Sequence, residues 1–382
     1  MIAYIKEYVI TLKIFAKNLK GRKAMINKNW AYALGILSLS TAMVAADQAS
    51  NGMQQQQAPR PMGVTTQPQG VITPPVAPTV NNGADFFIEA DFIYWDVYQE
   101  GLTVASTGEA TSVVSGQKIG NGNVVSLGRS WEPGFKIGFG FEMEHDGWDV
   151  FVDWTWLNPT QANVSYPVTS NLRHYLAAYN SKNISVPTVT QFNANSQLHF
   201  NAIDLELGRS FFLSRYLTLR PHIGLKTAWI NQDFNREYYL STALASSSKL
   251  RSDQEQQFWG IGIRTGLSPV FHLSKNWGIY GDLALSALYG YNQDQINDYL
   301  VNPSGTVFSE VVNEYSSYHS LTPVIEFGLG LEYMTWFCND SYMFNVKAGW
   351  EEQIWFNTNQ FIEADYGNLM LQGFTFNVGF HF

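Results

Sequence analysis

The sequence predicts an all-β fold: a transmembrane, antiparallel up-and-down β-barrel of about 10 strands, within a range of roughly 8–14. Three observations predict it. First, the stretch Gln372 to Phe382 places Phe374, Phe376, Val378, Phe380 and Phe382 on alternate positions, with Gly373, Thr375, Asn377, Gly379 and His381 between them. A strand sends successive side chains to opposite faces, so one face is wholly apolar and the other small and polar. On a soluble edge strand such a face invites aggregation. Second, the same alternation recurs in nine upstream segments. Third, the connections between the ten segments run 35, 3, 40, 4, 27, 4, 32, 6 and 19 residues. Strict alternation of long and short is what long outer loops and short periplasmic turns produce.

Taken in order, the chain opens with a basic region. Seven of the 23 Lys and Arg fall in residues 1–28, together with only Glu7 of the 32 acids. Residues 25–46 read as a secretory signal peptide: Lys28 gives a basic start, Ala31 to Met43 an apolar segment, and Val44-Ala45-Ala46 a small-residue cleavage site between Ala46 and Asp47. Met25 is a candidate start, and residues 1–46 are expected to be an extension plus signal. Residues 47–84 hold Gln54 to Gln57 and prolines at 59, 61, 68, 74, 75 and 78, without apolar periodicity. Such a segment buries too little apolar surface to offset its ordering entropy, so a disordered periplasmic linker is expected. From Asp47 onward 31 acids face 16 bases, a net −15 that makes a poor nucleic-acid binder.

Residues 85–382 carry the barrel. The strands are expected at Phe86 to Tyr98, Gly134 to Glu144, Trp148 to Leu157, Leu198 to Phe212, Leu217 to Ile230, Phe258 to His272, Trp277 to Gly290, Pro323 to Thr335, Tyr342 to Glu352 and Gln372 to Phe382. Most exceed the roughly 9–11 residues that a tilted strand needs to cross a bilayer. His145-Asp146-Gly147 reads as a tight hairpin turn. Trp95, Trp148, Trp156, Trp229, Trp259, Trp277, Tyr289, Tyr333, Tyr342 and Trp350 lie near strand ends, as an interfacial aromatic girdle would. Asn171 to Asn180 is the one helical-looking piece, with Leu172, Tyr175, Leu176 and Tyr179 at helical spacing. The single Cys338 excludes a disulfide framework within the chain and a multi-Cys metal site.

Three stretches, Phe86 to Leu102, Trp131 to Leu157 and Asp204 to Phe234, resemble the major-outer-membrane-protein-like, pore-forming family of chlamydia-related and Legionella-type bacteria. The last strand also looks like the terminal strand that the bacterial barrel-assembly machinery reads, which makes Phe374, Phe376, Val378, Phe380 and Phe382 the candidate assembly signal. The resemblance implies an integral outer-membrane, porin-like protein. It supplies no functional residue, and the lone Cys338 departs from the cysteine-rich, cross-linked chlamydial relatives.

The inward face carries the candidate chemistry. Its acids are Glu89, Asp91, Glu142, Asp149, Asp153, Asp204, Glu206, Asp282, Glu326, Glu332 and Glu351; its bases are Lys136, Arg220, Lys226, Arg264 and Lys347, with His222 and His272. A charge on the lipid face costs about 2–4 kcal/mol at midplane, so their alternation with apolar residues points them inward. Inward glycines such as Gly138, Gly140, Gly260 and Gly262 leave room. Two readings compete, and the resemblance favours the first. In one, these residues line an aqueous pore for small solutes or ions, weakly cation-selective because acids outnumber bases. In the other, they fill a narrow lumen and the barrel is a surface-exposed structural protein or adhesin, since small barrels are filled by side chains. A third class, a barrel protease, has His174, His199 and His319 near the loops but no spacing that marks a catalytic set, so no enzyme is expected. Gly260-x-Gly262 with Gly266 lacks the helix and Lys of a phosphate loop. No cofactor or metal is expected. The expected partners are outer-membrane lipid, the assembly machinery, solutes or ions, a further copy of the chain, and host-cell or cell-wall contacts.

Overall fold

The computed structural model describes residues 85–107, 124–143, 147–159, 162–174, 189–244, 247–302, 304–338, 341–361 and 367–382. The signal peptide, the linker, His145 and Asp146 of the hairpin turn and residues 175–180 lie outside the described residues. In chain order the strands are β1 (Phe86–Gln99), β2 (Thr103–Thr107), β3 (Val124–Ser126), β4 (Ser130–Glu142), β5 (Trp148–Leu157), β6 (Ala162–His174) and β7 (Val189–Arg209). They continue with β8 (Phe211–Phe212), β9 (Leu217–Leu244), β10 (Ser247–His272), β11 (Trp277–Val301), β12 (Val307–Phe337), β13 (Tyr342–Asn359) and β14 (Gly367–His381).

Ten of these close on themselves in the order β1-β4-β5-β7-β9-β10-β11-β12-β13-β14 and back to β1, each pair antiparallel. They are the ten expected segments, in an all-β outer-membrane type of barrel. The seam runs from Phe87 opposite His381 to Gln99 opposite Leu369. Phe86 and Phe382 exchange backbone bonds of 3.2 and 3.0 Å at its end. Closure leaves no barrel edge to template aggregation. Outside the ring, β6 pairs with the upper half of β7, and β2 and β3 extend that flap. The helical reading of Asn171 to Asn180 is corrected where it is described: Asn171 to His174 belong to strand β6. Tertiary pairing with β2 and β7 outweighs the local helical spacing.

The outward faces read as the sequence implies. Phe92, Ile137, Ile223 and Ile263 stand exposed toward the lipid side. A boundary crosses six strands in one row, Trp156, Asn201, Trp229, Trp259, Tyr291 and His319 lying opposite one another in register. The next outward row is His199, Asn231, Gln257, Gln293 and Ser317. This step from aromatic rings to amides marks where the sheet leaves the membrane. The segments expected as loops at 231–257 and 291–322 are largely strand: β9 and β10 run on to Leu244 and Ser247, β11 and β12 to Val301 and Val307. There the pattern inverts. Phe234, Tyr238, Leu250, Ile296 and Val312 turn inward and are buried, together with polar residues such as Gln232, Ser252, Gln254 and Asn292, while the face toward water is mostly polar. One ring leaves the girdle: Trp95 is fully buried inside the barrel, and its Nε1–H donates to Thr375 Oγ1 at 3.2 Å.

Asp294 sits in this extension, 1 % exposed and opposite Gln256 and Ser316. Burial pushes its carboxyl up to about 7. The folded chain therefore keeps a proton that the unfolded chain, titrating near 3.8, has lost. Stability should fall as pH rises between these values. Asp294→Asn should flatten that slope in urea titrations at stepped pH.

Candidate functional site: the barrel interior

Alternation sends one residue in two inward on every strand, and every charged candidate arrives there. At the periplasmic end, a cavity of about 360 Å³ is lined by Glu89, Asp91, Lys136, Glu142, Asp149, Asp153, Asp204, Glu206, Arg220, Arg264, Asp282, Glu326, Glu332, Lys347 and Glu351. His222 and Lys226 are buried in the wall behind, 4 % and 0 % exposed. His272 lines a second cavity of about 630 Å³ at the mouth, which shares Glu142, Thr218, Val270, Glu332, Met343 and His381 with the first. The signal-like residues Phe374, Phe376, Val378, Phe380 and Phe382 alternate on the opposite, outward face of β14 and past its end.

The charges at the inner end of this funnel are bonded to one another. Lys226 Nζ lies 2.7 Å from Asp204 and 2.8 Å from Glu326. Arg264 binds Glu326 at 3.0 Å and also Glu206. Arg220 joins Glu206, at 2.9 Å, to Asp149. Nearer the seam, Lys136 pairs with Glu351 at 2.5 Å and Lys347 with Glu89 at 3.5 Å, while Asn377 donates to Glu89 at 3.0 Å and to Asp91. Lys226, Arg264 and Arg220 each meet two carboxylates, and Lys136 and Lys226 also sit against rings, 5.2 Å from Trp95 and 5.6 Å from Trp355. Burial of charge is tolerated only with such pairing.

Just outward of the ion pairs comes an apolar layer. Ile93, Trp95, Leu157, Leu198, Phe200, Ala202, Ala228, Ile230, Phe258, Leu288, Val324, Trp355, Leu369 and Leu371 form one buried cluster, with contributions from every barrel strand except β4. Phe200 on β7 and Trp355 on β13 meet edge to face, ring centroids 5.3 Å apart. Those two strands stand opposite each other in the ring order, so the pair reaches across the whole bore. Further out, Gln99 bonds Gln232, and Gln256 Nε2 donates to the Thr358 carbonyl at 2.6 Å. A second cluster, including Leu102, Val104, Phe192, Phe234, Tyr238 and Phe361, fills the extension, with Tyr238 Oη donating to the Val104 carbonyl at 2.7 Å.

Inward aromatic rings are what the sequence reading missed. The room expected beside the glycines is taken: a Cβ at Gly138 would meet the Phe151 ring, and one at Gly140 the Phe87 ring. Those rings stack at 5.5 Å. The signal was present, because Phe87 shares the parity of Glu89 and Trp355 that of Glu351. His174, His199 and His319 lie on different strands, and the described residues hold no group of three His, Cys, Asp or Glu able to bind a metal. Cys338 is exposed in the turn after β12 with φ +54°.

A family model described as the Legionella pneumophila major outer membrane protein precursor matches residues 77–382. No curated protein matches the chain. Among solved structures, the outer-membrane protease OmpT of Escherichia coli is 12% identical, with 78% of this chain and 96% of that chain covered and a TM-score of 0.38. A major outer membrane protein of Thermus thermophilus is 10% identical, with 78% and 98% covered and a TM-score of 0.27. The attachment invasion locus protein Ail of Yersinia pestis is 11% identical, with 76% and 97% covered and a TM-score of 0.20. Similarity at this level carries no argument about function.

Proposed function

For a chain that belongs to the Legionella major outer membrane protein family, we propose an integral outer-membrane barrel whose bore is closed by its own side chains and whose work is done by the surface it displays outside the membrane. The observation that carries this reading is the Phe200–Trp355 contact between opposite walls, within an apolar layer drawn from nearly the whole ring. An apolar layer bridged across the bore by a ring pair gives a hydrated ion or sugar no polar partner to exchange for its water. The ion-pair cluster beneath adds a second obstruction, since its cations and acids are already bonded to one another. Of the two competing readings, the side-chain-filled barrel acting as a structural or adhesive surface protein is therefore preferred to the open diffusion pore. The outer hairpins support a display role, because their interiors are packed and their outward faces polar. The cation preference expected from the acid excess applies only to the open-pore reading.

Solute flux tests the proposal. Proteoliposomes holding the folded barrel should swell in isotonic arabinose no faster than protein-free liposomes. Swelling that scales with protein content would overturn the closed bore and restore the pore.

A further inference from the structure

The outward face of β11 and β12 changes character at the membrane boundary in a way that the closed bore does not explain. Tyr289 and Tyr315 are 62 % and 60 % exposed. His319 stacks on Tyr289 at 5.5 Å with 16° between planes, and its ring lies 5.0 Å from that of Tyr291. Gln293 Nε2 donates to Tyr315 Oη at 2.8 Å and lies 3.5 Å from Tyr291 Oη. Three tyrosines, a histidine and an amide thus make one platform, with ring faces held open and polar atoms held in place between them.

Height and charge narrow the occupant. His319 and Tyr291 belong to the boundary row, and Tyr315 lies four residues further out on β12. At about 3.4 Å per residue along a strand tilted by about 35–45°, that is about 10 Å of height, more than the roughly 5–8 Å of a phospholipid headgroup layer. Acyl chains do not reach Tyr315, and a phospholipid headgroup ends below it. Charge argues against recognition of phosphate. The neighbouring outward rows on β9 and β10 offer Asn231, Gln257, Asp233 and Glu255. The first outward bases above them, Arg251 and Lys249, are paired with Asp253 at 2.9 Å and Glu237 at 3.8 Å. Amides, carboxylates and tyrosine hydroxyls suit sugar hydroxyls, and exposed ring faces suit the C–H faces of a pyranose. A patch this apolar on a polar sheet marks an interaction site, and here it is continuous with the lipid-facing surface. We propose that Tyr291, Gln293, Tyr315 and His319 form a docking face for the saccharide headgroup of an outer-leaflet glycolipid, which stands beside the barrel with its membrane end against Tyr289 and reaches up β12. The proposal rests on membrane placement and is independent of whether the bore is closed.

The test is native mass spectrometry of delipidated barrel in detergent micelles, titrated with lipopolysaccharide carrying a core saccharide, with the same lipid truncated to its acylated disaccharide, and with phosphatidylglycerol. The full glycolipid should bind at least about tenfold more tightly than either of the others, the equivalent of about 1.4 kcal/mol. Tyr315→Ala combined with Gln293→Ala should erase that preference, as should the near-isosteric Gln293→Leu in large part. Circular dichroism and heat-modifiable mobility should stay unchanged, because both side chains point away from the packed interior. Equal binding of the full and truncated lipids by the wild-type barrel overturns the proposal. So does a preference that survives in the double variant. Equally tight binding of the free core oligosaccharide overturns the lipid as source and assigns the face to a soluble saccharide.

Discussion

Trp355→Ala should lower the unfolding free energy by about 3–5 kcal/mol, the range for emptying a buried large aromatic, and Phe200→Ala should cost less once Trp355 is gone. Both rings are fully buried. They come from strands on opposite walls, so only contact through the bore can couple them. An edge-to-face pair carries about 0.5–1.5 kcal/mol beyond its area. A double-mutant cycle, read from urea unfolding in lipid vesicles by tryptophan fluorescence, should return a coupling of that size. Additive losses would mean that the two walls do not touch and that the bore has room at this level.

Lys226→Ala should be the most damaging single change among the charged residues. The Lys226 side chain is 1 % exposed and bridges Asp204 and Glu326 at 2.7 and 2.8 Å. Removing the cation leaves two buried carboxylates short of compensation, and breaking a buried pair in this way costs about 3–5 kcal/mol. Lys347→Ala supplies the contrast. Lys347 is 26 % exposed on its side chain, and its partner Glu89 lies 3.5 Å away. Partly solvated pairs of that kind are worth about 0–1 kcal/mol. Unfolding midpoints of the two variants in the same vesicles should differ clearly. Equal, small losses would show that water reaches Lys226.

All ten barrel strands, and the burial of the inward charges, were legible because the membrane makes alternation costly to violate. A lipid-facing charge is penalised, so Lys136 between Phe135 and Ile137 has one place to go. The outer halves of β9 to β12 were not legible by the same test. Beyond the row of Trp229, Trp259 and Tyr291 the outside is water. The apolar residues, Phe234, Tyr238 and Leu250 among them, change sides, and a reading tuned to apolar-outward strands stops at the boundary. Trp95 misled for a related reason. An aromatic near a strand end fits a girdle, but its parity is that of Asp91 and Ile93, and parity decides which face it takes. The filled bore was hidden more deeply. Gly138 and Gly140 do leave space, yet sequence alone does not say that Phe151 and Phe87 on neighbouring strands will enter it. Nor does it say that Phe200 will find Trp355, since that depends on ring closure bringing residues 155 positions apart to opposite walls.

Single-channel recording in planar bilayers is the most direct measurement of closure. Folded, heat-modifiable wild-type barrel inserted at 1 M KCl should give no steady step conductance, because Phe200 and Trp355 meet across the bore within a buried apolar layer. Regular, long-lived conductance steps from the same folded material would contradict a bore closed by side chains.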